Sequence, residues 1–406
     1  MSGAFAQVSK YLAGVDSLGG SGETRAPRSR LDAIDLLRGL VIVVMALDHV
    51  RDFFGPTTFD PTDLSQTSPA LFLTRWVTHS CAPVFVFLTG IAAFLYGSGR
   101  GSRSQLSRFL WTRGVWLILI EVVVVNTGWQ SYWFGFMFVQ VIWVIGCSMV
   151  ILAGLIYLPG RWMLTIALVT ILGHNMLDPI TTAAFGDNAW TWNLLHEQGF
   201  LQIRPGFGLF VIYPLIPWFG VMALGYLLGP IFLATPETRH KVLLLLGTAC
   251  CLLFLLLRLP NLYGDPAVWA LQERGGLYSL LSLFNTTKYP ASLLFLLMTL
   301  GPALILLSFL ERVSGRFSQI LVTFGRVPFF YYILHIPLIN LLNHAWNLIR
   351  YGSFEQYCFR PHPESYQMKL WLVYIVWALV TVLMYYLCRW FAEKKRKHRT
   401  WWMSYL

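Results

Sequence analysis

Charged side chains are scarce in this sequence. Asp, Glu, Lys and Arg make up 12% of its 406 residues, whereas soluble domains carry about 25%. Apolar residues account for 56% of the chain, and its mean hydropathy is +0.59. Such a chain has too few polar side chains to cover a soluble domain. We therefore expect an all-α, polytopic membrane protein.

Several patterns with well-known functions are absent. The six cysteines fall mostly within apolar runs and lack metal-ligand spacing, so we predict neither a disulfide framework nor a metal site. The sequence contains no Walker loop, Rossmann glycine pattern or GxSxG elbow, which argues against soluble-type nucleotide or hydrolase chemistry. Residues 1–30 lack an apolar core followed by a small-residue cleavage site, so we expect membrane insertion to begin with the first span.

Apolar runs of about 20 residues dominate the remainder of the chain. We predict a cytoplasmic tail over 1–30, a transmembrane domain over 31–391 and a basic cytoplasmic tail over 392–406. The domain is expected to contain about ten helices, near 31–54, 69–97, 104–125, 136–157, 161–177, 209–233, 239–259, 289–310, 317–346 and 367–391. Prolines at 214 and 217 are expected to break or kink the sixth helix.

The net charge of +11 is concentrated in the tails and in alternate loops. Most Lys and Arg residues fall in segments that share one side with both termini, so the positive-inside rule predicts cytoplasmic termini. The basic run 394–397 is expected to lie near anionic lipid, and we predict no nucleic-acid partner. The expected location is a membrane, the inner membrane if the source is bacterial.

The first predicted helix is apolar but carries Asp35, Arg38, Asp48, His49 and Asp52. Arg38 and His49 fall on nearly the same helix face, roughly 16 Å apart along the axis. Ionisable groups at membrane depth are costly and indicate a functional site by default. A structural alternative remains open, in which Asp35 pairs with Arg38 and the carboxylates near the outer end snorkel to the surface.

Two further predicted helices carry titratable groups at similar depths. Arg75 and His79 share one face of the second helix, so His79 is a second candidate beside His49. Arg326 and His335 lie in the ninth helix, with His335 near mid-depth. Structural roles remain open here as well, because a neighbouring helix can satisfy a histidine, and Glu121 can pair with a buried arginine.

Four ordered motifs resemble bacterial relatives of heparan-α-glucosaminide N-acetyltransferase. They are IDLLRGLVIVVMALDHVRDFF, RWVTHSCAPVFVFLTGIAAFLYG, YPLIPWFGVMALGYLLG and GRVPFFYYILHIPLI. The spacing of Arg38 and His49 also resembles the signature of membrane-bound acyltransferase type 3 proteins. This chain departs from the lysosomal family pattern after His49, where it reads TTFDPTD and contains no histidine.

The resemblance implies transfer of an acyl group, typically acetyl, from cytosolic acyl-coenzyme A to an amine or hydroxyl of a glycan-type acceptor across the membrane. The stripe of Arg38 and His49, with His79 at a matching depth, predicts that His49 is the general base or else a transient acyl carrier, with Asp48 or Asp52 orienting it and His79 as the second candidate. The resemblance also implies a donor-binding set, for which the candidates are Asp35, Arg38, Arg75, Arg326 and His335. Acyl-coenzyme A is then a donor substrate, and no metal is expected.

Two other functions fit the same charges. A proton-coupled transporter or flippase of an anionic or sugar-containing solute also needs buried arginine, histidine and aspartate side chains. A non-catalytic membrane scaffold needs no buried charges, and the five charged or titratable side chains in the first span argue against this third function. The oligomeric state is not predicted.

Overall fold

The computed structural model describes residues 32–55, 59–99, 102–354, 358, 369–398, 400 and 403. Most of them are helical. The helices are α1 (Asp32–Phe54), α2 (Pro69–Thr78), α3 (Cys81–Ser98), α4 (Arg103–Ile120), α5 (Asn126–Trp129), α6 (Val141–Leu155), α7 (Gly160–Gly173), α8 (Ala189–Leu195), α9 (Trp218–Leu228), α10 (Pro236–Arg258), α11 (Gly276–Phe284), α12 (Leu293–Leu310), α13 (Arg316–Arg326), α14 (Pro328–Tyr351) and α15 (Leu370–Lys397). The predicted N-terminal tail lies outside the described residues, and α15 continues into the predicted C-terminal tail.

The predicted multi-pass architecture is confirmed in part. Among the described residues, five helices are long and apolar enough to cross a bilayer, or seven if each of two bent pairs forms one span. The predicted ninth helix is such a pair, since α13 and α14 meet at 87°. Helices α6 and α9 are apolar but short, and the charges of α1 keep it outside this set. The count of about ten spans is therefore not reached by length and composition alone.

The prediction of an all-helical chain is wrong at one place, where three strands form a small sheet. Strands β1 (Phe136–Val139), β2 (Gly199–Arg204) and β3 (Phe207–Val211) have the order β1-β3-β2. β1 runs parallel to β3, and β2 runs antiparallel to it. Strand β1 and the end of β3 fall in the predicted helices 136–157 and 209–233, because a short apolar run has no periodicity that separates strand from helix.

Helix α1 is the central element of the fold. Within the described residues its main packing partners are six helices, namely α2, α3, α12, α13, α14 and α15. Its crossing with α13 is closest at two glycines. A Cβ atom on Gly39 would lie 1.8 Å from the carbonyl oxygen of Leu321, and one on Gly325 would lie 1.8 Å from that of Asp35. The two backbones are therefore in direct contact, which only glycine permits.

We expect Gly39→Ala to destabilise the protein, because the added methyl group meets backbone that cannot move away. Overpacking of this kind costs about 1–3 kcal/mol, which will lower the melting temperature measured in detergent. Gly154→Ala is the matched control, since a Cβ atom at Gly154 meets nothing within 4 Å of the described structure. An equal melting temperature for the two variants would contradict the close crossing.

Candidate active site

Two cavities lie next to each other along α1. The Arg38 cavity, of about 330 Å³, is lined by Arg38, Arg113, Tyr332 and largely apolar side chains. The His49 cavity, of about 400 Å³, is lined by polar side chains and aromatic ones, including Asp48, His49, Asp52, Arg75, Gln140, Lys288, Trp129, Phe138, Tyr213 and Tyr289. Phe85 and Val141 belong to the walls of both cavities. The cavities are therefore neighbours, separated by these two side chains.

Asp48 is the most heavily paired carboxylate of the His49 cavity. One of its oxygens accepts a hydrogen bond from Arg75, and the other forms an ion pair with Arg51 at 2.9 Å. Asp48 and Arg51 are both more than nine-tenths buried. Two guanidinium groups thus compensate one carboxylate, and the pair between α1 and α2 fixes Arg75 at the cavity wall.

His49 lies in the same cavity with several titratable or aromatic neighbours. Its Nδ1 atom is 3.7 Å from a carboxylate oxygen of Asp52, which is just beyond hydrogen-bonding distance. Its ring centroid lies 5.1 Å from Trp129 and 5.2 Å from His335. A small rotation of the imidazole closes the gap to Asp52, which would leave Nε2 as the basic atom.

His335 lies beside His49, although the sequence placed it in the donor-binding set. It is fully buried, and its Nδ1 atom is 2.7 Å from the carbonyl oxygen of Tyr332 and 3.1 Å from that of Tyr331. Because carbonyl oxygens only accept hydrogen bonds, Nδ1 carries the proton. Nε2 is then an acceptor, and it has no hydrogen-bond partner in the part of the chain that the structure describes.

The Arg38 cavity contains two arginines. Arg38 donates hydrogen bonds to Asp35 at 3.1 Å and to the carbonyl oxygen of Gly325 at 3.2 Å. The guanidinium of Arg113, which the sequence analysis did not select, lies 5.8 Å from the ring of Phe329. The contact between Asp35 and Arg38 is the structural pairing that the sequence left open as an alternative to a functional role. Arg38 nevertheless also lines the cavity.

Three predicted residues lie elsewhere than expected. Arg75 belongs to the His49 cavity and not to the donor side. His79 is buried at the junction of α2 and α3, where its ring lies 5.7 Å from Phe295, and it is absent from the described lining of the His49 cavity. Arg326 is almost half exposed and pairs with Asp32 at 3.3 Å.

The sheet and a π-helical turn build one wall of the His49 cavity. Phe136 and Phe138 project into it from β1, because alternate residues of a strand share a face. In the turn at 121–125, Glu121 accepts a hydrogen bond from the backbone NH of Gln140 at 2.8 Å, and Gln140 lines the cavity. A buried arginine had been considered as the partner of Glu121. The structure instead shows Glu121 bonded to the backbone of Gln140.

Lys288 and two tyrosines complete the cavity from segments outside the candidate spans. The hydroxyl oxygens of Tyr213 and Tyr289 are 3.5 Å apart. Burial raises the pKa of Tyr213 well above its ordinary value, and a charge on Tyr289 would raise it further. Burial also acts to raise the pKa of Tyr289, but the positive charges of Lys288 and Arg75 outweigh it, so this pKa is lowered. Tyr213 and Tyr289 fall within the predicted helices 209–233 and 289–310, whereas the structure places them in irregular segments, and no sequence pattern marked them or Lys288 as site residues.

A family model described as heparan-alpha-glucosaminide N-acetyltransferase, catalytic, matches residues 30–257, which is more than half of the chain. The chain belongs to this family. A comparison with curated proteins found no match. Membership in the heparan-alpha-glucosaminide N-acetyltransferase family supports a membrane enzyme of the acetyltransferase type. The matched part contains His49 and Arg113, whereas Lys288, Tyr289 and His335 follow it.

We expect Asp48→Asn to destabilise the protein strongly, because it leaves the guanidinium groups of Arg75 and Arg51 without their shared carboxylate. Removing one partner of a buried pair costs about 3–5 kcal/mol, measurable as the free energy of unfolding in an SDS titration. Glu393→Gln is the control, since it breaks the exposed Arg389–Glu393 pair, worth about 0–1 kcal/mol. Equal losses in the two variants would show that the Asp48 cluster is solvated.

Proposed function

We propose that the protein transfers an acyl group, typically acetyl, from cytosolic acyl-coenzyme A to an amine or hydroxyl of a glycan-type acceptor on the opposite side of the membrane. In this proposal the chain crosses the bilayer about ten times, and both termini lie in the cytoplasm. The Arg38 cavity opens toward the cytoplasm. The observation that carries the proposal is the pair of cavities that share Phe85 and Val141. A thioester placed at these two residues can be reached from both cavities.

The Arg38 cavity suits the donor. Coenzyme A carries phosphate groups at one end and a flexible, mostly uncharged arm that ends in the thioester. Guanidinium groups bind phosphate through charge-assisted hydrogen bonds, and the cavity offers those of Arg38 and Arg113. Apolar side chains such as Ile145 and Met149 line the remainder and fit the arm. Asp35 then acts on the donor only through Arg38, which it holds in place.

The His49 cavity suits a sugar acceptor and the chemistry of acyl transfer. Its aromatic side chains offer faces to a sugar ring, while Gln140, Lys288 and the tyrosines offer polar groups. Nε2 of His49 removes the proton of the acceptor hydroxyl or amine as its oxygen or nitrogen attacks the thioester carbonyl. The carbon–sulfur bond then breaks, coenzyme A leaves as thiolate, and it takes up the proton.

Asp52, and not Asp48, is the carboxylate that orients His49 in this mechanism. Asp48 is already neutralised by Arg75 and Arg51, whereas Asp52 lies 3.7 Å from Nδ1 of His49. Asp52 also contacts Arg51 through its other oxygen at 2.7 Å, so one oxygen remains directed toward His49. Asp48 contributes by fixing Arg75 at the cavity wall.

We expect His49→Gln to reduce acyl transfer by about 100- to 10,000-fold, the usual contribution of a general base. The measurement is release of coenzyme A thiol from acetyl-coenzyme A by purified protein with a glucosamine-containing acceptor. His79→Gln is the matched variant, because His79 is buried outside the described cavity lining, and it should retain activity in folded protein. Loss of activity in His79→Gln alone would transfer the role of base to His79.

The same assay separates the enzyme from the transporter or flippase considered above. An enzyme releases thiol in detergent solution, where no gradient exists. A transporter releases none, and it moves labelled solute only in sealed vesicles. Absence of thiol release together with such flux would overturn the proposed function.

We expect Arg113→Gln to raise the KM for acetyl-coenzyme A by roughly 10- to 100-fold, because one charge-assisted contact to phosphate is worth about 1.5–3 kcal/mol. The kcat should change little, since Arg113 lies far along the donor from the reacting carbonyl. Arg113→Lys keeps the charge and should recover part of the loss. A fall in kcat at constant KM would contradict the placement of the phosphates.

A further inference from the structure

A second cluster of titratable side chains lies outside both cavities, between α7 and β2. It consists of His174 and Asp178, which follow α7, and His196, which follows α8. One ligand atom from each residue lies within 4.8 Å of those of the other two. Both histidines are 98% buried, and Asp178 is partly buried. Nothing in the proposed acyl transfer uses this cluster.

The hydrogen bonding of the two histidines is incomplete. Both ring nitrogens of His174 are buried and have no hydrogen-bond partner within the described residues, and the same is true of Nδ1 of His196. Nε2 of His196 is 3.1 Å from a carboxylate oxygen of Asp178. Burying a polar atom without a partner costs about 1–3 kcal/mol. Three such atoms beside one carboxylate indicate that a ligand is part of this site.

We propose that His174, Asp178 and His196 bind a divalent transition-metal ion of the zinc class. Neutral imidazole nitrogens and a carboxylate oxygen are ligands that Zn²⁺ takes, and three protein ligands leave one position for water. The three ligand atoms lie within 4.8 Å of one another, so small side-chain movements bring all three into contact with one ion. Each histidine gives one ring nitrogen to the ion, so metal binding compensates part of the missing hydrogen bonding.

Neighbouring groups hold the carboxylate as a metal ligand requires. The side-chain NH2 of Asn175 donates to the second oxygen of Asp178 at 2.9 Å, and the side-chain oxygen of Asn175 accepts from the backbone NH of Leu293 at 2.9 Å. Such outer contacts orient ligands and are common around metal sites. They also tie the cluster to the first turn of α12.

The ion has a structural role in this proposal. It joins the end of α7 to the end of α8, two elements that meet at a bend of 103°. Backbone hydrogen bonds connect the end of α8 to the segment after β3, since Leu215 donates to Leu194 and Ile216 donates to Leu195. That segment directly follows Tyr213 in the wall of the His49 cavity. Metal binding therefore stabilises the support of this wall.

The test uses the full chain, purified in detergent, stripped with a chelator, loaded with ZnCl2 and desalted. We expect one zinc ion per chain by elemental analysis, and a higher melting temperature for the zinc-loaded protein than for the stripped protein. His174→Ala and Asp178→Asn should each lose most of the bound zinc and the zinc-dependent rise. His240→Ala is the control, because His240 is no part of the cluster and contacts the carbonyl oxygen of Ser308. This variant should keep the bound zinc and the zinc-dependent rise in melting temperature.

Asp178→Asn keeps the size of the side chain, and its amide oxygen can still accept the hydrogen bond from Asn175, so it separates loss of a ligand from failure to fold. Wild-type protein that retains no zinc after desalting would overturn the proposal. So would zinc retained at the wild-type level by both variants, since the ion would then lie elsewhere. These readouts need no acyl transfer, so the metal site and the proposed function can fail independently.

Discussion

The charged side chains of α1 impose the strongest constraint on this structure. Each of them lies in an otherwise apolar helix, where an unpaired charge costs several kcal/mol, so each needs a partner. Arg75 is a partner of Asp48, and their hydrogen bond fixes α2 against α1. Arg38 has the carbonyl oxygen of Gly325 as one of its partners, and this contact is possible only because glycines let α13 approach the backbone of α1. The packing around α1 thus follows from its charges.

This arrangement places different chemistry at the two ends of one helix. The Arg38 end has guanidinium groups in apolar surroundings, which suits a phosphate-bearing ligand with an uncharged arm. The other end has an imidazole, carboxylates and aromatic rings, which suits a polar acceptor and proton transfer. Phe85 and Val141 are the only side chains that the described walls share, so the proposed mechanism has the two substrates meet there.

The sequence predicted the features that depend on α1 itself. The stripe of Arg38 and His49, the pairing of Asp35 with Arg38 and the multi-pass class all follow from helical spacing and composition. Features that depend on long-range contacts were not predictable from one sequence. Strand β1 was predicted as part of a helix because it is only four apolar residues long. Lys288 lines the His49 cavity and His335 packs against His49, both from far along the chain, and nothing local in sequence encodes these contacts.

The pairing of His49 and His335 sharpens the assignment of the base. Both rings lie at the same site, 5.2 Å apart, but their surroundings differ. His335 has its Nδ1 proton committed to backbone carbonyls, lies fully buried and has no carboxylate among its hydrogen-bond partners, so a second proton on its ring would be uncompensated. His49 borders the cavity and has Asp52 within reach of Nδ1, which compensates the charge that a base acquires. Of these two histidines, His49 is the one that lines the described cavity, so the proposed mechanism assigns the proton transfer to His49.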